Sequence, residues 1–258
     1  MYKSLAVAIA LATTALASTA AYADDAPASP ITVTGSVDLT TQYRLRGISQ
    51  TDNDAAIQGG ITITHSSGLY VSTWASNLAG AGDFGGAHME LDLIGGYSKA
   101  VGPVTLDGGF IYYAYPGVNK PYNVDYYEIY GSVSGKVGPA NAKLGAYWAP
   151  SQSHIAWSGS KGHNVWIYTD WGLPISGTPF TLKAHAGYSD GNSSYTRSAG
   201  HIFDYGVGVD ATYKNLTLNV SYVGTDVGRT DSLDWDGGSE TGRAITKGNV
   251  VATLTAAF

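Results

Sequence analysis

The residues able to do chemistry are few and scattered. Six histidines, His65, His88, His154, His163, His185 and His201, occur in a chain with no cysteine. Nucleophilic hydrolysis needs a Ser or Cys beside a His, with a carboxylate to orient the ring. His154 has Ser151 and Ser153 next to it, but its stretch holds no acid to complete a triad. It reads as a solvated loop, and no enzyme activity is expected. Asp231, Asp234 and Asp236 offer hard oxygens to Ca²⁺ at a spacing that does not complete a calcium loop. There is no phosphate-cradling glycine loop, no metal-ligand spacing and no cofactor motif. A net charge of −6 argues against a nucleic-acid partner.

A different pattern holds a second set of ionisable residues, which are expected to line the pore. Asp38, Arg44, Arg46, Glu90, Asp92, Asp107, Glu128, Lys143, Lys183, His185, Asp210 and Lys247 all fall on the polar phase of strictly alternating stretches. Residues 31–46 show it first. Odd positions are mostly apolar (Ile31, Val33, Val37, Leu39, Tyr43, Leu45) and even ones polar (Thr32, Ser36, Asp38, Gln42, Arg44, Arg46). Successive side chains of a strand point to opposite faces, so this is a strand with one apolar and one polar face.

Eleven further stretches come after it, at 55–65, 69–78, 88–100, 104–115, 125–137, 142–149, 164–171, 180–189, 204–214, 216–225 and 245–258. Short turn-like connections alternate with longer polar ones. No apolar run beyond residue 23 is long enough for a transmembrane helix, which needs about 20 residues. The expectation is one all-β domain: an antiparallel transmembrane barrel of about 12 strands, with short periplasmic turns and longer extracellular loops.

The first residues read as an export signal. Lys3 precedes an apolar run at 5–17, and Ala21-Tyr22-Ala23 is a small-x-small cleavage site. Residues 1–23 are thus a signal peptide, 24–30 a short linker and 31–258 the barrel.

If the apolar face meets lipid, outward aromatics should gather at two heights. Tyr43, Tyr112, Tyr127, Trp148, Tyr188, Tyr205 and Tyr222 fall near the external ends. Tyr97, Trp171, Phe180, Tyr213 and Phe258 fall near the periplasmic ends. The terminal Phe258, on an alternating apolar face, is the kind of signal read by barrel-insertion machinery. The partners expected are outer-membrane lipid and lipopolysaccharide, that machinery, and small hydrophilic solutes. Inward glycines such as Gly60, Gly96, Gly109 and Gly145 leave room, which favours a narrow pore over a filled interior. The alternative is a structural or adhesive barrel without transport.

The stretches Thr41-Gln42-Tyr43-Arg44-Leu45-Arg46-Gly47, Ser67-Gly68-Leu69-Tyr70-Val71, Glu90-Leu91-Asp92-Leu93 and Tyr126-Tyr127-Glu128-Ile129-Tyr130-Gly131 resemble the TorF family of porins. The resemblance covers most of the chain after residue 23, most strongly 33–135. It departs mildly at Thr41-Gln42, where Ser-Asp is usual. It implies an outer-membrane pore without catalytic residues. By motif position it points to Tyr43, Arg44, Arg46, Gly47, Trp74, Glu90, Asp92 and Glu128.

Overall fold

A computed structural model describes residues 29–79, 86–119, 123–232 and 244–258. The expected signal peptide (1–23), most of the linker (24–30) and the acids Asp234 and Asp236 lie outside them.

Twelve strands close an antiparallel barrel, each pairing with its sequence neighbours and the first with the last. They are β1 (Ile31–Thr40), β4 (Ala56–His65), β5 (Leu69–Asn77), β6 (Met89–Val101), β7 (Val104–Ala114), β8 (Tyr126–Val137), β9 (Ala140–Gln152), β10 (Gly162–Pro174), β11 (Phe180–Asp190), β12 (His201–Tyr213), β13 (Leu216–Thr225) and β14 (Asn249–Ala257). Two short strands, β2 (Arg44–Leu45) and β3 (Ile48–Ser49), pair only with each other. One end of the barrel carries tight turns at 66–68, 102–103, 138–139, 175–179 and 214–215. The other carries the longer connections 41–55, 78–88, 115–125, 153–161, 191–200 and 226–248. We call these the turn end and the loop end.

The two faces are inverted relative to a water-soluble protein. Ile57 is 66% exposed and Val207 60%, whereas Glu90 and Glu128 are fully buried in the interior. An apolar band of this extent does not persist against water. Closure leaves no sheet edge around the wall, which a hydrocarbon surrounding requires.

The seam is the shortest ladder of the barrel wall. β1 pairs with β4 from Ile31↔His65 to Thr40↔Ala56, but with β14 only from Ser36↔Ala257 to Thr40↔Thr253. Phe258 extends it by exchanging two backbone hydrogen bonds with Gly35, at 2.8 and 2.9 Å. Its ring lies over Gly35, where an added Cβ would come within 2.7 Å of it.

Several strand boundaries differ from the sequence expectation, two of them by a change of path. The first strand stops at Thr40 and does not run to 46. The Thr40 hydroxyl donates to the Gln42 carbonyl at 3.0 Å, and Thr41 is tied to Ala252 on β14 through its backbone and hydroxyl. From there the chain turns into the bore. The last strand starts at Asn249 and not at 245. Residues 244–246 form a helical turn, and Ile245 packs with Ile48 and Ile202. Its apolar side chain mimics a strand phase but fills a loop-end cluster. Strands β9 and β10 are longer than expected, so the 172–179 connection shrinks to a tight turn.

Candidate functional site

The site is built on the chain that leaves the wall after β1. β2 and β3 are joined by Arg46 and Gly47, with φ of 50° and 80°. Positive φ at both positions of a two-residue hairpin turn is the signature of type I′. Glycine is required at 47 for a second reason. A Cβ there would lie 2.8 Å from the Gly224 carbonyl and 2.6 Å from the Thr225 methyl. Thr51 anchors the base of the hairpin. It is fully buried, accepts from the Tyr43 amide (3.0 Å), donates to the Asp54 carbonyl (2.6 Å) and bridges to Ala79.

Arg46 extends from the hairpin tip to Glu128 on β8, with Nη2 2.7 and 2.6 Å from the two carboxylate oxygens. β1 and β8 are five strands apart one way round the barrel and seven the other. The ion pair therefore ties the chain emerging from one wall to the opposite wall. The guanidinium lies over the rings of Trp166 (5.0 Å) and Tyr195 (4.4 Å). Such stacking suits a planar, weakly hydrated cation. The Tyr113 hydroxyl donates to Glu128 at 3.0 Å. The Tyr43 hydroxyl donates to Glu90 at 3.0 Å, and its ring meets Trp74 edge-on. Tyr126 and Tyr195 join hydroxyl to hydroxyl. Burial holds the Tyr195 phenol well above its ordinary pKa, so it stays neutral.

The bore changes character along its axis. At the loop end the inward side chains are packed: Tyr113, Tyr126, Glu128, Tyr147 and Trp166 are all buried. Above the hairpin, a cavity of about 70 Å³ is bounded by Leu45, Gln50, Tyr115, Tyr126, Ile155 and Tyr195. Toward the turn end the inward groups are mixed: Tyr70, Lys143, Thr217 and Thr255 are buried, and others are accessible. The side chains of Asp170, Lys183 and His185 are 43%, 31% and 26% exposed. His185 lies between Asp170 (2.6 Å) and Asp204 (2.7 Å), and Asp204 also accepts from the Trp166 indole at 2.9 Å. Lys183 approaches Asp210 at 3.7 Å, and Asn219 donates to Asp210 at 2.6 Å.

Residues 24–258 match the family described as bacterial protein of unknown function, Gcw_chp. The chain belongs to this family. No curated protein matches it. Among solved structures it is similar to the NanC porin in a rhombohedral crystal form. That likeness has 13% identity and a TM-score of 0.55, covering 86% of this chain and 98% of that one. It is also similar to a protein from a study of in-meso crystallization of membrane proteins, with 10% identity and a TM-score of 0.51, covering 87% of this chain and 83% of that one. At such identities the likeness establishes the fold.

In this Gcw_chp member the sequence-predicted polar residues have different fates. Glu90, Asp92 and Glu128 meet in the packed loop-end half, all buried. Asp92 has one carboxylate oxygen without a hydrogen-bond partner. Asp38 is buried on the β1 wall. Asp107 accepts from Tyr70 at 2.9 Å, and Lys143 lies over the Tyr168 ring. Lys183, His185 and Asp210 line the turn-end half. Arg44 braces the hairpin, donating to Gln42, Asn53 and the carbonyls of Gly47 and Lys247. Lys247 is exposed and precedes β14, so it is not on that strand.

Tyr43 is the main correction on the aromatic side. It does not face outward. Because the chain turns inward at Thr41, its side chain is buried in the bore. On the outer wall, Trp148, Tyr188 and Tyr222 are exposed toward the loop end, and Tyr97, Trp171, Phe180, Tyr213 and Phe258 toward the turn end. Tyr112, Tyr127 and Tyr205 are half-buried. Tyr112 donates to Asp125, Tyr127 stacks on Phe110, and Tyr205 stacks on Phe203.

The inward glycines do not leave empty space. A Cβ at Gly96 would meet the Tyr70 and Tyr130 hydroxyls, and one at Gly145 the Tyr168 ring. Tyrosines from neighbouring strands occupy the room. Tyr147, Asp204 and Tyr195 are among the cluster residues that escaped the sequence reading. Asp204 carries the same even phase as Asp210, and extending that phase upward would have found it. Tyr195 comes from a loop and has no periodic signal.

Proposed function

We propose that this chain is an outer-membrane barrel of the bacterial cell that passes small hydrophilic solutes or ions. One observation carries the reading. Inside an apolar-walled barrel, the turn-end half of the bore exposes Asp170, Lys183 and His185. Charged groups facing hydrocarbon cost about 2–4 kcal/mol near the midplane, so their place is a hydrated lumen. Long loops at one end and tight turns at the other favour the loop end as external. The outward rings near each end would sit at the two headgroup levels, with lipopolysaccharide on the external side. Residues 1–23 act as the export signal, and it supports this that the family match starts at residue 24. Phe258 serves as the handle for the insertion machinery. The TorF-like motifs belong to the same reading, since Arg46, Glu90 and Glu128 are the groups that converge in the bore.

Purified protein in planar bilayers should give discrete single-channel steps, and liposomes carrying it should swell in small sugars. No current and no swelling would defeat the reading. The packed loop-end half favours a second reading, a structural or adhesive barrel, and that outcome would support it.

A further inference from the structure

We propose that the segment 41–54 is a plug, and that the structure is the externally closed state of the barrel. The inference rests on the reading of the lumen as a passage. Three independent observations carry it.

The first is the path of the chain. β1 ends at Thr40, and the residues after it are buried within the loop end of the barrel: Tyr43, Arg46, Ser49, Gln50 and Thr51, with Ile48 packed on Ile202 and Ile245. An ordinary surface loop does not bury a run of its own residues in this way. The second is the gradient along the axis. Glu90 and Glu128 at hairpin level are fully buried, whereas Asp170, Lys183 and His185 below them are 43%, 31% and 26% exposed, although Lys143, paired with Asp170, stays buried. These exposed groups lie on the turn-end side of the hairpin. The third is how the hairpin is held. Its tip is latched through one buried ion pair, Arg46 to Glu128, while its flank rests on Tyr43 to Glu90.

A latch of this type is bistable. A buried ion pair is roughly balanced against solvation of its two ions, but loss of one partner strands the other in low dielectric. Removing Glu128 therefore drives Arg46 toward water. The hairpin belongs to a loop-end connection, so it moves outward with Arg46. The Nε and Nη1 atoms of Arg46 fit this picture, since both are buried without hydrogen-bond partners and exposure would satisfy them.

The absence of cysteine makes a direct test possible. Ser132 faces the bore on β8, below the plug, and Ser132→Cys is a unique thiol there. A charged, membrane-impermeant maleimide is added to intact cells and to cells with a permeabilised outer membrane. With the plug in place, labelling from outside should be at least tenfold slower than after permeabilisation. Glu128→Gln, and separately Arg46→Ala, should raise the external rate at least tenfold, and the exchange Arg46→Glu with Glu128→Arg should return it toward the parent. Heat-modifiable mobility on gels certifies that each variant is folded. Equal labelling from both sides in the parent would overturn the plug, as would unchanged external labelling in folded Glu128→Gln. Bilayer recordings separate this from the passage reading. If labelling shifts but neither parent nor variants conduct, the plug stands and the passage reading fails.

Discussion

Arg46 and Gly47 show how much depends on two adjacent residues. Their positive φ values make the two-residue turn that aims Arg46 at Glu128. Ala at 47 would suffer twice, from backbone strain of about 1 kcal/mol and from overpacking of about 1–3 kcal/mol against Gly224 and Thr225. Gly47→Ala should therefore lower the urea stability of the refolded barrel by about 2–4 kcal/mol, read by tryptophan fluorescence. Gly102 is the control. Its φ is also positive, at 59°, but a Cβ there meets nothing within 4 Å. Gly102→Ala should cost only about 1 kcal/mol, and equal losses at both sites would show that the close approach at 47 is unimportant. Arg46→Lys should not restore the parent. A lysine ammonium lacks the planar face that lies over Trp166 and Tyr195. External labelling of Ser132→Cys should rise in that variant too.

At the scale of elements, the seam is the vulnerable ladder. β1 and β14 share half the paired positions that β1 and β4 share, and Phe258 lengthens the short side. Deleting Phe258 removes two backbone bonds to Gly35 and uncovers that glycine. At about 1 kcal/mol per bond and about 2–4 °C per kcal/mol, the heat-modifiability transition should fall by roughly 5 °C. Phe258→Ala keeps the backbone bonds and should lose less. If the deletion melts with the parent, the Gly35 pairing does not hold the seam. Boundaries were the least legible part of these elements. Ile245 has the phase of a strand residue, yet it packs with Ile48 and Ile202, two residues far from it in sequence. Nothing local distinguishes the two outcomes.

For the whole molecule, the inverted faces set opposite rules for the same change. Val220 is exposed on the outer wall, in the row that pairs it with Val209 and Ala252. Val220→Arg should destabilise the folded barrel in lipid by about 2–4 kcal/mol. Ser132→Arg, on the inner face, should leave stability close to the parent and shift ion selectivity in bilayers. A loss at Ser132→Arg as large as at Val220→Arg would contradict the assignment of faces. Among the described residues no helix is long and apolar enough to cross a membrane.

The sequence by itself determined the strand count, the alternation of turns and loops, and the face on which nearly every polar residue lies. It could do so because a strand repeats every two residues and hydrocarbon tolerates only a closed sheet, so one local period carries the global architecture. Tertiary structure alone decided where the chain leaves the wall and what it meets inside. Thr40 and Thr41 continue the alternation, yet their hydrogen bonds turn the chain inward. Tyr43 and Arg46 then find partners on β6 and β8. Those contacts join residues 47 and 82 positions apart, and a period of two says nothing about pairs across a lumen.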